Sequence, residues 1–202
     1  MHCALPPPPH HDPIHSNSFR INMSAQLPTF RFHPDPIASG SVVISEKACS
    51  VCEKVRGYIY TGPTYCEEEI EEAICPWCLA DGSAHTALDA VFHDVTLADA
   101  TTADEMAEIE ERTPGFATFN PIQWPSCCDL PMAYIEPAGV SEIRARYYTL
   151  EGLLMTTIVH EMGISGGAAH AFLNALRRDT SPCVHVFHCL TCDTVLGRID
   201  RI

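Results

Sequence analysis

The sequence predicts an α+β protein: a single compact domain with zinc-knuckle or ribbon-like elements and a helical C-terminal third. Three observations carry this. Two CxxC pairs, Cys49-Ser50-Val51-Cys52 and Cys75-Pro76-Trp77-Cys78, stand 22 residues apart. In that form two tight turns each offer two sulfurs to one tetrahedral zinc ion. Short β-rich segments surround the pairs, and two apolar stripes of helical period follow residue 140.

Residues 1–26 are rich in Pro and His and read as a flexible tail, so the folded domain is expected over 27–202. Phe30-Arg31-Phe32 alternates like a short strand, ended by Pro34-Asp35-Pro36. Val42-Val43-Ile44 is a second strand, and Gly57-Tyr58-Ile59-Tyr60 a third, closed by the turn Gly62-Pro63. Thr64 with Glu67 has the form of a capping box, opening a helix with Ile70, Ala73 and Ile74 on one side. That helix must stop before Pro76. Thr102 with Glu105 repeats the signature and opens a helix carrying Met106 and Ile109, halted at Thr113-Pro114-Gly115. Ser141 is placed to cap a helix bearing Ile143, Tyr147, Leu150 and Leu154, and Ser165 another through Phe172, Leu173 and Leu176. The chain ends as strand, knuckle, strand: Val184 to His188, Cys189-Leu190-Thr191-Cys192, then Val195 to Ile199.

The chain has 202 residues, 46% of them hydrophobic, a content that suits a packed core rather than global disorder. No apolar run approaches the ~20 residues that span a bilayer. The first residues lack a basic start and an apolar h-region, so a reducing, cytoplasmic setting is expected. There, paired cysteines favour metal over disulfides, and an odd total of 11 would leave one thiol over in any fully oxidised framework. Net charge is −14, and from Gly57 to Glu111 there are 14 carboxylates and no Lys or Arg. Such a field repels phosphate backbones and attracts cationic proteins. Nucleic acid and membrane are therefore disfavoured as partners, and Glu67, Glu68, Glu69, Glu71 and Glu72 are the candidate contact residues for a basic one. The plainer alternative is a solvated acidic face.

Cys49, Cys52, Cys75 and Cys78 are the candidate structural zinc ligands. Four thiolates close the coordination shell and leave no open position for catalysis. A redox reading of Cys75-Pro76-Trp77-Cys78 is weakened by the second pair at zinc distance and by the lack of a preceding βαβ pattern. Cys189 and Cys192 with Cys127 and Cys128 are the candidate second site. Adjacent cysteines rarely both reach one ion without strain, so His188 or His185 is an alternative fourth ligand. Cys66 and Cys183 read as core thiols, and His85 and His93 as ordinary histidines. His160-Glu161 does not extend to H-E-x-x-H, because Ile164 stands where the second histidine belongs. No nucleophile elbow, phosphate loop or dinucleotide fingerprint is present. Nothing names a reaction.

Phe30-Arg31-Phe32-His33-Pro34-Asp35-Pro36, Ser41 and Cys49-x-x-Cys52 resemble the opening of the bacterial CbrC-like family. So do Arg56-Gly57-Tyr58-Ile59-Tyr60-Thr61-Gly62-Pro63 and the run from Cys75 through Ala84. Arg112-Thr113-Pro114-Gly115-Phe116, Trp124-x-x-Cys127-Cys128 and Phe187-His188-Cys189-Leu190-Thr191-Cys192 are similar to its later segments. The resemblance implies a soluble bacterial protein, associated with tolerance to DNase-type colicins, whose cysteine pairs hold metal. This chain has Phe119-Asn120 where the family has Trp-Gln, and Cys127-Cys128 where it often has His-Cys. The resulting expectation is a zinc-stabilised, non-enzymatic protein engaging a basic nuclease toxin. A zinc-containing enzyme, or a stress or envelope regulator giving tolerance indirectly, is the alternative.

Overall fold

The computed structural model describes residues 26–67, 73–97 and 101–202. Strands β1 (Val42–Ile44) and β2 (Tyr58–Tyr60) pair antiparallel, bracketing the first CxxC turn. The second CxxC lies at the start of α1 (Pro76–Ala80), with Cys75 at the N-cap and Pro76 in the first turn, where its missing N–H costs nothing. Helix α2 (Ser83–Leu88) follows. Strand β3 (Val95–Leu97) runs parallel to β4 (Ile122–Trp124), and α3 (Ala103–Arg112) connects them. A minimal hairpin, β5 (Ser126–Cys127) and β6 (Leu130–Pro131), leads into β7 (Ala133–Ala138). Helices α4 (Val140–Arg146), α5 (Tyr148–Thr156) and α6 (Gly166–Ala175) precede the closing hairpin, β8 (Cys183–His188) and β9 (Val195–Asp200).

The largest sheet among the described residues is antiparallel, in the order β7-β8-β9. β8 is covered on both faces. Val184 and Val186 point into a core made with Ile143, Leu150, Leu154 and Leu173 of the helices. Phe187 points the other way, into an aromatic core with Phe32, Phe116, Trp124 and Tyr134. This explains the near-continuous apolar run of β8, since a central strand shows no polar face. A third core surrounds the first two CxxC pairs, and Cys49, Cys75 and Cys78 are themselves among its members, with Tyr60, Leu79 and Phe92.

The α3 capping box is present in both directions, Thr102 Oγ1 accepting from Glu105 N–H and Glu105 Oε2 accepting from Thr102 N–H. Other expectations are corrected. Phe30–Phe32 turns instead of extending, and its two phenyl rings enter different cores. The predicted helix from Thr64 to Ile74 is extended at both ends: Tyr65 exchanges backbone hydrogen bonds with Val91, and Ile74 carbonyl accepts from Tyr60 N–H. Its middle, 68–72, lies outside the described residues. Helix α4 is capped by Gly139 rather than Ser141, and Glu142 Oε2 accepts from Gly139 N–H. A side chain at Gly139 would stand 2.9 Å from Leu176 carbonyl oxygen, which explains the glycine there. The stripe Ile143, Tyr147, Leu150 and Leu154 is split at Tyr147 into two helices, and a π turn over Thr157–Glu161 ends the second.

Tyr60 joins the first core to the aromatic one. Its hydroxyl donates to Pro63 carbonyl and accepts from Gly115 N–H. A Cβ on Gly115 would meet the Phe92 carbonyl, so the Thr113-Pro114-Gly115 stop also permits a close backbone approach. Two buried histidines sit beside this contact. His33 Nδ1–H donates to Pro114 carbonyl, which leaves Nε2 to accept from Ser39 hydroxyl. His93 packs edge-on to Trp124 and Phe116.

Burial holds both imidazoles neutral, lowering His33 from 6.5 to about 4 and His93 from 6.5 to about 3, with His33 adding a smaller repulsion at His93. Below the unfolded pKa the unfolded chain binds protons that the native chain refuses, so stability falls with falling pH until the folded values are reached. The slope is about 1.4 kcal/mol per pH unit for each histidine. His93→Phe is therefore expected to flatten the urea-denaturation profile between about pH 6.5 and about pH 5 by one histidine's share. An unchanged slope would show that His93 is protonated alike in both states.

Candidate metal centres

Cys49 and Cys52 occupy the connection between β1 and β2. Glu53 completes the turn at φ 59° and donates its N–H to Cys49 carbonyl, while Cys49 N–H donates to Lys54 carbonyl. Ser50 N–H and hydroxyl both reach Ala73 carbonyl, fastening this turn to the chain entering the second pair. From there Cys75 donates its N–H to Cys49 Sγ at 3.3 Å. The sulfurs of Cys49, Cys52, Cys75 and Cys78 all lie within 4.8 Å of one another, and Cys52 Sγ is 3.8 Å from Cys75 Sγ. A tetrahedron with Zn–S bonds of about 2.3 Å has an edge of about 3.8 Å, so the spacing fits an ion. It is far too long for disulfides, and all four cysteines are free.

Crowded thiols cannot all ionise without a cation. Burial raises Cys75 to about 11 and Cys78 further still. Cys49 falls to about 7 despite the burial acting against it, because backbone N–H groups of Cys52, Cys75 and Val51 favour its thiolate. A redox dithiol needs a readily ionised cysteine at the helix start, and the thiol of Cys75 is the opposite.

The second group is Cys127, Cys128, Cys189 and Cys192, again within 4.8 Å. The expected strain of adjacent ligands is resolved by the hairpin. Cys128 and Asp129 form the two-residue loop between β5 and β6, with φ of 54° and 61°. Two left-handed residues make a type I′ turn, which matches the strand twist and swings Cys128 back beside Cys127. Their sulfurs are 3.8 Å apart, and each lies 3.7 Å from Cys192. Neither His188 nor His185 belongs to this group. The N–H groups of Thr191 and Cys192 donate to Cys189 Sγ. Thr194, through its hydroxyl and then its backbone, lowers Cys192 to about 6, whereas neighbouring thiols, Cys192 first, push Cys128 up to about 12. Both groups could hold zinc or another metal ion.

A third gathering, not singled out from the sequence, joins Cys183, His185 and Asp200, all buried. Cys183 is buried as a core thiol should be, and His185 lies with it in this group rather than in the second. The available signal was Cys-x-His on a strand, two residues apart and therefore on one face, opposite an acidic residue on the partner strand. Of the acidic contact candidates, Glu67 is exposed, while Glu68, Glu69, Glu71 and Glu72 lie outside the described residues. No helix among the described residues is long and apolar enough to cross a membrane.

Comparison with known proteins places these features in a family. UPF0167 proteins of Mycobacterium bovis and Mycobacterium tuberculosis are each 38% identical over 177 residues, covering 87% of this chain and 94% of theirs. A UPF0167 protein of Pseudomonas aeruginosa is 44% identical over 124 residues, 60% of this chain and 69% of its own. No solved structure matches. The family model described as "Uncharacterised protein family (UPF0167)" matches residues 27–201, spanning all three cysteine-bearing groups, and the chain belongs to that family.

Proposed function

We propose that this chain is a zinc-stabilised, non-enzymatic binding protein that engages a basic protein through its acidic segment. The observation that carries the reading is the pair of tetracysteine groups with sulfur separations of 3.7–3.8 Å. All-thiolate shells of this size suit Zn²⁺, which has no preference among geometries and takes four sulfurs tetrahedrally. Once bound, such an ion has no position left for substrate. Cys49, Cys52, Cys75 and Cys78 would fix the β1–β2 connection to α1, and Cys127, Cys128, Cys189 and Cys192 would fix the β5–β6 hairpin to the β8–β9 turn. The ions are architectural, and function lies on the surface they hold in place.

That surface is acidic. Among the described residues, Glu67, Asp81, Asp89, Asp94 and Asp104 are exposed. Some of the segment has structural work instead: Glu105 closes the α3 cap, and Arg31 lies 3.8 Å from both Glu105 and Glu108. The CbrC-like resemblance falls on the same residues as the UPF0167 match, and we treat the two as one family. The colicin tolerance implied by that resemblance supports a cationic nuclease toxin as the partner. DNases carry basic surfaces for DNA, and an acidic protein meets such a surface quickly by electrostatic steering.

Replacing Cys49 by Ser should remove one metal equivalent and destabilise the chain by several kcal/mol, because structural zinc binding is folding free energy. A cooperative thermal transition at the wild-type midpoint in metal-depleted Cys49→Ser would show the first group to be dispensable. For the partner, binding of the zinc-loaded chain to a catalytically inactive colicin DNase domain is the test. Changing Glu67, Glu68, Glu69, Glu71 and Glu72 together to Gln is expected to slow association about tenfold and flatten its salt dependence. Absence of wild-type binding, or kinetics unchanged by the Gln variant, contradicts the acidic docking face.

A further inference from the structure

We propose that Cys183, His185 and Asp200 form a third, mixed-donor metal site with an open coordination position on a surface cleft. It is independent of the tetracysteine groups and of the toxin reading. β8 places Cys183 and His185 two residues apart on one face, and Asp200 of β9 is the cross-strand partner of Cys183. Three donors thereby converge on one face of an antiparallel hairpin. Cys183 Sγ is 3.8 Å from His185 Nε2, which is 3.2 Å from Asp200 Oδ2. Tetrahedral zinc with ordinary bond lengths would separate sulfur from nitrogen by about 3.6 Å and nitrogen from oxygen by about 3.3 Å. The unliganded spacing is already close to both.

Cys, His and Asp also compose nucleophilic triads, and the geometry rules against one here. In a triad the nucleophile and the orienting carboxylate sit on opposite nitrogens of the imidazole. Here both face Nε2. A sulfur and a carboxylate oxygen converging on the same ring nitrogen is what a shared ion produces.

The polar accounting supports the same reading. His185 is 1% exposed and turns its Nε2 toward both Cys183 and Asp200. Asp200 is 5% exposed and accepts from Phe119 N–H and the Asn120 side chain, yet its ion-pair partner among the described residues is His185 rather than any Lys or Arg. A buried carboxylate without a permanent cation is costly, and a divalent ion supplies the missing charge.

Cys183 and His185 help line a cleft of about 460 Å³, together with Ser39, Thr61, Tyr134 and Arg178, while Asp200 lines a separate cleft with Asn120 and Arg198. Three protein ligands with a fourth position facing a cleft is the arrangement in which zinc holds water or a ligand oxygen. One sulfur, one nitrogen and one oxygen donor select borderline ions such as Zn²⁺ or Co²⁺ over Mg²⁺ or Ca²⁺.

The reduced full-length chain, loaded with Zn²⁺ and freed of excess, should carry one equivalent more than the two tetracysteine groups take. His185→Ala should lose that equivalent alone. Asp200→Asn keeps the shape and the acceptor for Phe119, and it should weaken the same ion at least tenfold without unfolding the hairpin. In Co²⁺-loaded wild type, the corresponding equivalent should add a spectrum with weaker thiolate-to-metal charge transfer than the tetrathiolate ions, absent from both variants. Equal metal content in wild type, His185→Ala and Asp200→Asn, or a wild-type cobalt spectrum of tetrathiolate character alone, would overturn the site.

Discussion

Four sulfur atoms drawn to one point, at separations where thiols neither bond nor ionise together, set the terms for the N-terminal half of this protein. The surrounding elements cannot do so. β1 and β2 have three residues each, α1 five and α2 six, lengths at which isolated elements have marginal stability. Three of the four sulfurs are buried members of the core they organise. An ion at their centre would connect residues 26 positions apart, doing for this half what a long ladder of hydrogen bonds does elsewhere.

The C-terminal half is built by more ordinary means. β8 pairs with strands on both sides, helices cover one face, and aromatic rings cover the other. Glu136, buried on β7, is held by Arg146, Arg178 and Tyr147, so the sheet and both helical regions meet at one carboxylate. Those donors outweigh burial and keep Glu136 ionised below its ordinary range. The β8–β9 hairpin carries residues of a candidate metal group at each end, with Cys189 and Cys192 at its turn and Cys183 and Asp200 where it opens, about 20 Å away along the strand.

What could be read from the sequence was local. The CxxC spacings, the Thr102–Glu105 cap and the strand–knuckle–strand ending each need only neighbouring residues, and each element appears where expected. β7 was invisible because Glu136-Pro137 breaks the strand pattern. Pro137 is tolerated because β7 is an edge, and a bulge at Ile135 resets the alternation. Cys127-Cys128 could not be assigned from spacing, because the solution is a type I′ turn using Cys128 and Asp129, neither of them glycine. Cys183, His185 and Asp200 are a tertiary event: only the β8–β9 register makes Asp200 a neighbour of Cys183.

The central claim is that bound metal, rather than core packing alone, holds the cysteine-bearing loops. Its most direct test is thermal unfolding of the reduced chain by near-UV circular dichroism, before and after a chelator removes zinc and again after zinc is restored. A cooperative transition is expected with metal, its loss without metal, and its recovery on adding zinc back. An unchanged midpoint and cooperativity in the metal-free, fully reduced chain would contradict it, and would leave the clustered cysteines as packed thiols.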